Sequence, residues 1–164
     1  MEIDGLPLHP LINDSAVALV PLSVLAGLAF ALLPSWRWLS RWAALLLTVG
    51  GMVALLATWW TGRDLLETRF ASATGVLADR LQTHQDRADL LLWIYIAFTV
   101  VVLLAFFVLP APTHLDSGRM GFAGNTAGWA SLVVPAAVVV VGLAALVAVV
   151  LTGHAGAQVA FGPQ

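Results

Sequence analysis

Four long apolar runs, separated by breaks rich in proline or polar residues, constrain this chain more than any other feature of its sequence. A helix needs about 20 apolar residues to cross a bilayer, and each run is long enough. Charged residues make up only 10% of the chain, against about 25% in soluble domains, so charge cannot cover a water-facing surface. We predict one all-α integral membrane domain over residues 1–164, a four-transmembrane-helix bundle without a sheet. The predicted spans are about 10–33, 40–60, 86–109 and 127–151.

Proline and small residues mark local features of these spans. Pro10 suits the first turn of the first span, because a proline there loses no hydrogen bond. Pro21 is expected to kink the same span. Pairs of small residues four positions apart, which let helices approach closely, lie in the second and fourth spans. These pairs are Gly50 with Ala54 and Ala144 with Ala148.

The longest polar stretch of the chain separates the second span from the third. Thr61 with Asp64, and Thr83 with Asp86, have capping-box spacing, so we predict that a helix starts at each. Between them, apolar residues recur at the spacing of one helix face. They are Leu66, Phe70, Ala73, Leu77 and Leu81. The pattern predicts an additional amphipathic surface helix over about 63–83, either a plain connector or a lid over a site in the bundle.

An even number of spans places both chain ends and the polar stretch on one side of the membrane, here called the terminal side. The chain starts with Glu2 and Asp4, whereas a secretory signal starts with basic residues, so no cleavable signal is expected. Arg37 and Arg41 directly follow the first span, and cytoplasmic loops favour such residues. We therefore predict that both termini are extracytoplasmic.

Composition argues against several classes of function. With no lysine and a net charge of −2, the chain has no basic footprint for nucleic acid. It has no cysteine, which excludes disulfides, Cys-ligated zinc, iron–sulfur clusters and covalently attached c-type haem. No ionisable side chain falls in the middle of a predicted span, whereas pumps and proton-coupled carriers usually need one. We therefore expect neither a transporter nor an ion channel. We also expect that the chain has no catalytic activity of its own.

Three histidines fall at the terminal-side ends of the predicted spans. His9 precedes the first span, His84 precedes the third and His154 follows the fourth. Histidines with a carboxylate suit zinc, copper or iron, and a histidine pair can ligate haem. The candidate carboxylate partners are Asp4, Asp14 and Asp86. Alternatively, the three histidines are ordinary hydrogen-bonding residues of the membrane interface.

His84 continues the apolar stripe of the polar stretch, so it should face the bundle. We predict that it is at least half buried, and that His9 or His154 lies within about 10 Å of it, the spacing of neighbouring helices. His114 lies in the opposite loop and is expected to be solvated.

Both ends of the chain carry short distinctive motifs. The chain opens with Leu8-His9-Pro10-Leu11, has a histidine before its third span, and ends with Thr152-Gly153-His154-Ala155-Gly156-Ala157 followed by Phe161. Together these features resemble a family of small bacterial membrane proteins, domain of unknown function 2231, and this version looks actinobacterial. The resemblance covers nearly the whole chain. It implies an inner-membrane protein without an established activity.

The resemblance also bears on the histidines. The family's histidine pattern has the look of a haem or metal site, which would carry over to His9, His84 and His154. Many members have a second histidine a turn after the first, whereas Asn13 and Asp14 stand there in this chain. If that histidine were an axial ligand, this chain has lost it, and the departure favours a structural role.

Two functional hypotheses follow. In the first, the chain is a non-catalytic accessory subunit of a larger bacterial membrane complex, such as a respiratory one, and its partners are lipid and other membrane subunits. In the second, it is a membrane redox protein that binds haem or a metal through the terminal-side histidines.

Overall fold

The computed structural model describes residues 2–3, 5–113, 117, 120–124 and 128–162. In these residues two short strands precede four long helices. The strands are β1 (Glu2–Ile3) and β2 (Leu6–Pro7), and the helices are α1 (Leu8–Leu32), α2 (Arg37–Arg69), α3 (Gly75–Val108) and α4 (Ala130–Phe161). A 3-10 turn at Pro34–Trp36 joins α1 to α2.

All four helices are long and apolar enough to cross a membrane. They contain nearly all of the four predicted spans. Leu33 and Leu109 each stand one residue past a helix end, and residues 128–129 precede α4. Ala127 lies outside the described residues. The all-helical bundle of apolar helices predicted from the sequence is thus confirmed. The expectation of no sheet is wrong at one place, because β1 and β2 pair antiparallel before α1.

The predicted surface helix over 63–83 is also wrong, because α2 runs on to Arg69 and α3 starts at Gly75. Neither threonine of the two capping boxes starts a helix. Thr61 Oγ1 donates to the carbonyl of Ala57, and Thr83 Oγ1 donates to that of Asp79. A threonine hydroxyl bonds in this way to the preceding turn of its own helix. The polar stretch is therefore the extension of two membrane helices, joined by a five-residue reversal over 70–74.

Tyr95 stands at the centre of the bundle and is fully buried. Its hydroxyl lies 2.8 Å from Ser23 Oγ of α1 and donates to the carbonyl of Thr48 of α2 over 3.3 Å. Gly51 packs directly against that hydroxyl, where no larger residue fits. A buried polar group is stable only when it is hydrogen-bonded, so this contact fixes how three helices pack together.

The bundle consists of two helical hairpins, α1–α2 and α3–α4, and their buried residues fall at equivalent positions in sequence. An offset of 75 residues takes His9 to His84, and it takes six of the seven buried residues of α1 to buried residues of α3. These six residues of α3 are Leu91, Tyr95, Phe98, Val102, Ala105 and Phe106. The two hairpins thus present the same faces to the core.

The second helices of the hairpins match in the same way, at an offset of 94 residues. The seven buried residues of α2 from Ala44 to Thr61 all have buried counterparts in α4. Five pairs of residues related by this offset are identical. Ala43, Val53, Ala54, Thr58 and Gly62 correspond to Ala137, Val147, Ala148, Thr152 and Gly156. Each hairpin also packs its first helix on the second helix of the other. We interpret these matches as an internal duplication of one helical hairpin.

Candidate functional site: a facing histidine pair

His9 stands in the first turn of α1 and is half-buried against α2. Its Nδ1 lies 2.9 Å from the carbonyl oxygen of Thr58. Because a carbonyl can only accept, the hydrogen bond places the proton on Nδ1. The neutral ring then has a free lone pair on Nε2, and this is the nitrogen that is left available to a ligand.

His84 repeats this arrangement in the second hairpin. It is half-buried on α3, and its Nδ1 lies 3.1 Å from the carbonyl oxygen of Thr152 on α4. The same reasoning assigns the proton to Nδ1 and the lone pair to Nε2. A hydrogen bond on one ring nitrogen that orients the other is the usual arrangement of a histidine that binds a metal.

Each imidazole packs against a glycine. A Cβ added to Gly62 would lie 3.0 Å from Cε1 of His9, and one added to Gly156 would lie 3.1 Å from Cε1 of His84. Both distances are shorter than an ordinary van der Waals contact. The glycines follow Thr58 and Thr152 by four residues, so the residue that anchors the ring and the residue that makes room for it share one helix face.

The two histidines lie next to each other. Their ring centres are 6.4 Å apart and their planes are inclined by 73°. Two imidazoles that bind one ion through nitrogen–metal bonds of about 2.0–2.1 Å have ring centres roughly 5–6.5 Å apart. The predicted burial of His84 and its predicted proximity to His9 are therefore both found in the structure.

The third predicted ligand, His154, does not join the pair. It is exposed on α4, where Gln158 Nε2 donates to its Nε2 over 3.1 Å. In the described residues no three His, Cys, Asp or Glu side chains are grouped so that they could hold a metal ion. Among the suggested carboxylate partners, Asp14 is exposed and Asp86 accepts a hydrogen bond from Gln82. Asp4 and His114 lie outside the described residues.

Asp89 is a polar residue near the pair to which the sequence analysis assigned no role. It accepts a hydrogen bond of 2.6 Å from Trp59 Nε1 and forms an ion pair of 3.6 Å with Arg63. The guanidinium of Arg63 also stacks on the Trp59 ring, 4.4 Å from its centre. These contacts join α2 to α3 on the terminal side. Each histidine of the pair is followed five residues later by an aspartate, Asp14 or Asp89, and this repeated spacing is the sequence signal that points to Asp89.

A depression of about 420 Å³ lies between the polar ends of α2 and α3. Leu66 of α2 and Phe70 of the reversal line it on one side, and Leu81 and Gln85 of α3 line it on the other. Leu66 stands one turn beyond Gly62, and neither histidine lines the depression. Its apolar wall therefore comes from residues assigned by sequence to the surface helix.

No family model matches the chain, and no curated protein or solved structure shows significant similarity to it. The resemblance to domain of unknown function 2231 therefore stays a prediction.

Proposed function

We propose that this chain is a small membrane protein whose His9 and His84 together bind one metal centre, most favourably a haem iron, and that it carries electrons at the terminal-side face of the membrane. The observation that carries the proposal is the adjacent histidine pair itself. Both rings are half-buried, both donate Nδ1–H to a helix carbonyl, and both leave Nε2 free. A repeated arrangement that brings two histidine rings within 6.4 Å of each other supports a shared ligand.

The number of ligands favours haem over a bare ion. Zinc in proteins takes three or four protein ligands, whereas the described part of the chain offers the pair alone. Haem iron needs only axial ligands from the protein, and two histidines suffice. The chain has no cysteine for covalent attachment, so the haem would be held non-covalently. Bound there, haem supplies one-electron chemistry, while the protein orients the two imidazoles.

An optical spectrum of protein purified in detergent tests this proposal. We expect a Soret band, or a stoichiometric metal if the centre is not haem. His9→Ala and His84→Ala should each abolish six-coordinate binding, because the loss of either nitrogen breaks the pair. His154→Ala is the matched control, since His154 is exposed and its hydrogen bond in the described residues is to Gln158 of its own helix. A purified protein with neither haem nor metal, also after haem is added, would contradict the proposal.

A second candidate is a non-catalytic accessory subunit of a larger bacterial inner-membrane complex, such as a respiratory one. Its support is the outer member of each small-residue pair. Ala54 and Ala148 are buried inside the bundle, whereas Gly50 and Ala144 face outward, with open space over Gly50. Small outward residues let a helix of another subunit approach closely.

A photo-crosslinking residue at position 50 tests the accessory role in native membranes. A discrete protein adduct is expected there, while the same residue at the exposed Leu46 serves as a control. Crosslinks to lipid alone at both positions would count against a protein partner.

The proposed orientation places both termini outside the cytoplasm, because Arg37 and Arg41 begin α2 on the opposite side. A reporter that is active only outside the cytoplasm should work after Gln164 and fail at Gly118. The reverse result would show that both termini are cytoplasmic.

A further inference from the structure

Two arginines are buried at the opposite end of the bundle from the histidine pair. Arg37 and Arg41 lie in the first turns of α2 and are only 7% and 6% exposed. No carboxylate of the described residues lies within ion-pair distance of either one. Two positive charges, one turn apart, are therefore held largely out of water without a counter-charge from the described part of the chain.

Arg37 is paired with neutral groups only. Its Nε donates to the carbonyl of Phe30 over 3.0 Å, and its Nη2 donates to that of Ala31 over 2.9 Å. These carbonyls belong to the last turn of α1, where no intrahelical donor is available. The contact explains the position of Arg37, but it does not neutralise its charge.

Arg41 is surrounded by aromatic rings. Its guanidinium carbon lies 4.1 Å from the ring centre of Phe106, 4.4 Å from that of Phe122 and 5.4 Å from that of Trp42. Aromatic faces attract a cation, but they do not provide hydrogen-bond acceptors in its plane. The Nε of Arg41 is buried and has no hydrogen-bond partner. Of the three buried side-chain atoms without a partner in the described residues, Arg41 Nε is the one that belongs to a charged group.

The depth of this arginine pair identifies the anion that is available there. Trp36 and Trp42 flank the pair and are 59% and 42% exposed, as is typical of tryptophans in the headgroup region of a membrane. The pair also lies at the N-terminus of a long helix, where the helix dipole favours anions. Lipid phosphates are concentrated at this depth.

We propose that Arg37 and Arg41 form a binding site for the phosphate of an anionic phospholipid at the loop-side face of the bundle. Arg41 supplies the planar donor edge, its orientation fixed by Phe106 and Phe122, and Arg37 supplies the second charge one turn away. A guanidinium suits phosphate better than an ammonium does, because it donates two parallel hydrogen bonds. This site lies at the opposite membrane face from the histidine pair, so it stands whether or not the pair binds a metal.

Native mass spectrometry of delipidated protein in detergent tests the proposal. Phosphatidylglycerol should bind about tenfold more tightly than phosphatidylcholine, and Arg41→Gln should remove most of this preference, since a charge-assisted hydrogen bond is worth about one such factor. Arg63→Gln is the matched control. Arg63 also stacks on an aromatic ring, but it is already paired with Asp89, so its loss should leave lipid binding unchanged.

Three results would overturn the lipid site. The first is equal binding of the two lipids by the wild-type protein, which requires no variant to fold. The second is unchanged phosphatidylglycerol binding by Arg41→Gln, or by Arg41→Lys, which keeps the charge and serves if the glutamine variant does not fold. The third is inorganic phosphate that binds as tightly as the lipid, because the site would then hold a free anion.

Discussion

The two hairpins of this protein have matching buried positions, but they differ in the polar contacts around their histidines. In the first hairpin, His9 is bound by the carbonyl of Thr58, and the Thr58 hydroxyl is buried without a partner. In the second, the hydroxyl of Thr152 donates to the carbonyls of Ala148 and Arg87, and so joins α4 to α3. The same threonine carbonyl thus orients the ring in both hairpins, whereas the threonine hydroxyl has partners only in the second.

The side chain of Arg87 adds to this difference. Its Nη1 donates to the carbonyl of Leu151 over 3.0 Å, and the equivalent position in α1 is Ile12, which has no donor to offer. Asp89 is bound to Trp59 and Arg63, whereas its equivalent Asp14 is exposed. His84 therefore has more polar contacts around it than His9 has. Substitutions at equivalent positions of the two hairpins should therefore affect ligand binding equally but stability unequally.

The largest effects are expected at the glycines that pack on the imidazoles. Gly62→Leu and Gly156→Leu should each displace a ring, abolish ligand binding and lower the free energy of unfolding by about 1–3 kcal/mol, as overpacking does. Gly153→Leu is the control on the same helix, because a Cβ there meets nothing within 4 Å. Optical titration and thermal unfolding in detergent measure both effects. Intact binding in Gly156→Leu would refute the idea that the glycine makes room for the ring.

A smaller effect is expected at the duplicated aspartates. Asp89→Ala removes the acceptor of Trp59 and the partner of Arg63, and should cost about 1–2 kcal/mol, a range reduced for the partial exposure of the ion pair. Asp14→Ala should change stability by less than about 0.5 kcal/mol, as exposed substitutions do. Thermal unfolding of the two variants compares them directly. Equal destabilisation would mean that the hairpins do not differ in this respect.

The threonines should respond in opposite directions. Thr152→Val removes a hydroxyl that joins α4 to Arg87 and should destabilise the protein by about 1 kcal/mol. Thr58→Val removes a buried hydroxyl without a partner, so it should be neutral or stabilising by up to about 1 kcal/mol. Both substitutions keep the backbone carbonyl that binds the histidine, so ligand binding should persist in each. A strongly destabilised Thr58→Val variant would show that this hydroxyl has an unrecognised acceptor.

The smallest effect is expected where the hairpins differ by a single methyl group. Gly50→Ala gives the first hairpin the residue that the second has at Ala144, and the space over Gly50 is open. Alanine in a helix interior is favoured over glycine by about 0.5–1 kcal/mol, so the variant should unfold at a slightly higher temperature. Ala144→Gly should lower stability by a similar amount. A loss of stability in Gly50→Ala would show that this helix face is covered in the purified protein.

The spans and the histidine pair could be predicted from sequence because each rests on a strong physical constraint. Membrane thickness fixes the length of an apolar run, and an even number of crossings brings His9 and His84 to one face. The surface helix was predicted wrongly because polar residues outside lipid continue a helix as readily as they start one. Its supposed apolar stripe joins residues of two helices, with Leu66 in α2 and Leu77 in α3.

His154 and the duplication show a different limit of sequence reasoning. Proximity to a helix end does not give the direction of a side chain, and His154 faces outward like its equivalent Trp60, which is 67% exposed. The duplication is hard to see in the sequence because few of the matched residues are identical. The two small-residue pairs, Gly50 with Ala54 and Ala144 with Ala148, do occupy equivalent positions. The two offsets of the duplication, 75 and 94, also differ because the connection between α3 and α4 is longer than that between α1 and α2.

The reversal over 70–74 has a consequence for how such a molecule can arise. Each hairpin begins and ends at the same membrane face, so a second copy joined in tandem inserts in the same orientation as the first. A single helix copied in tandem would instead alternate in direction and would bring unlike ends together. The five residues of this connection therefore turn what would be a homodimer of hairpins into one polypeptide, in which each half can acquire substitutions that the other does not share.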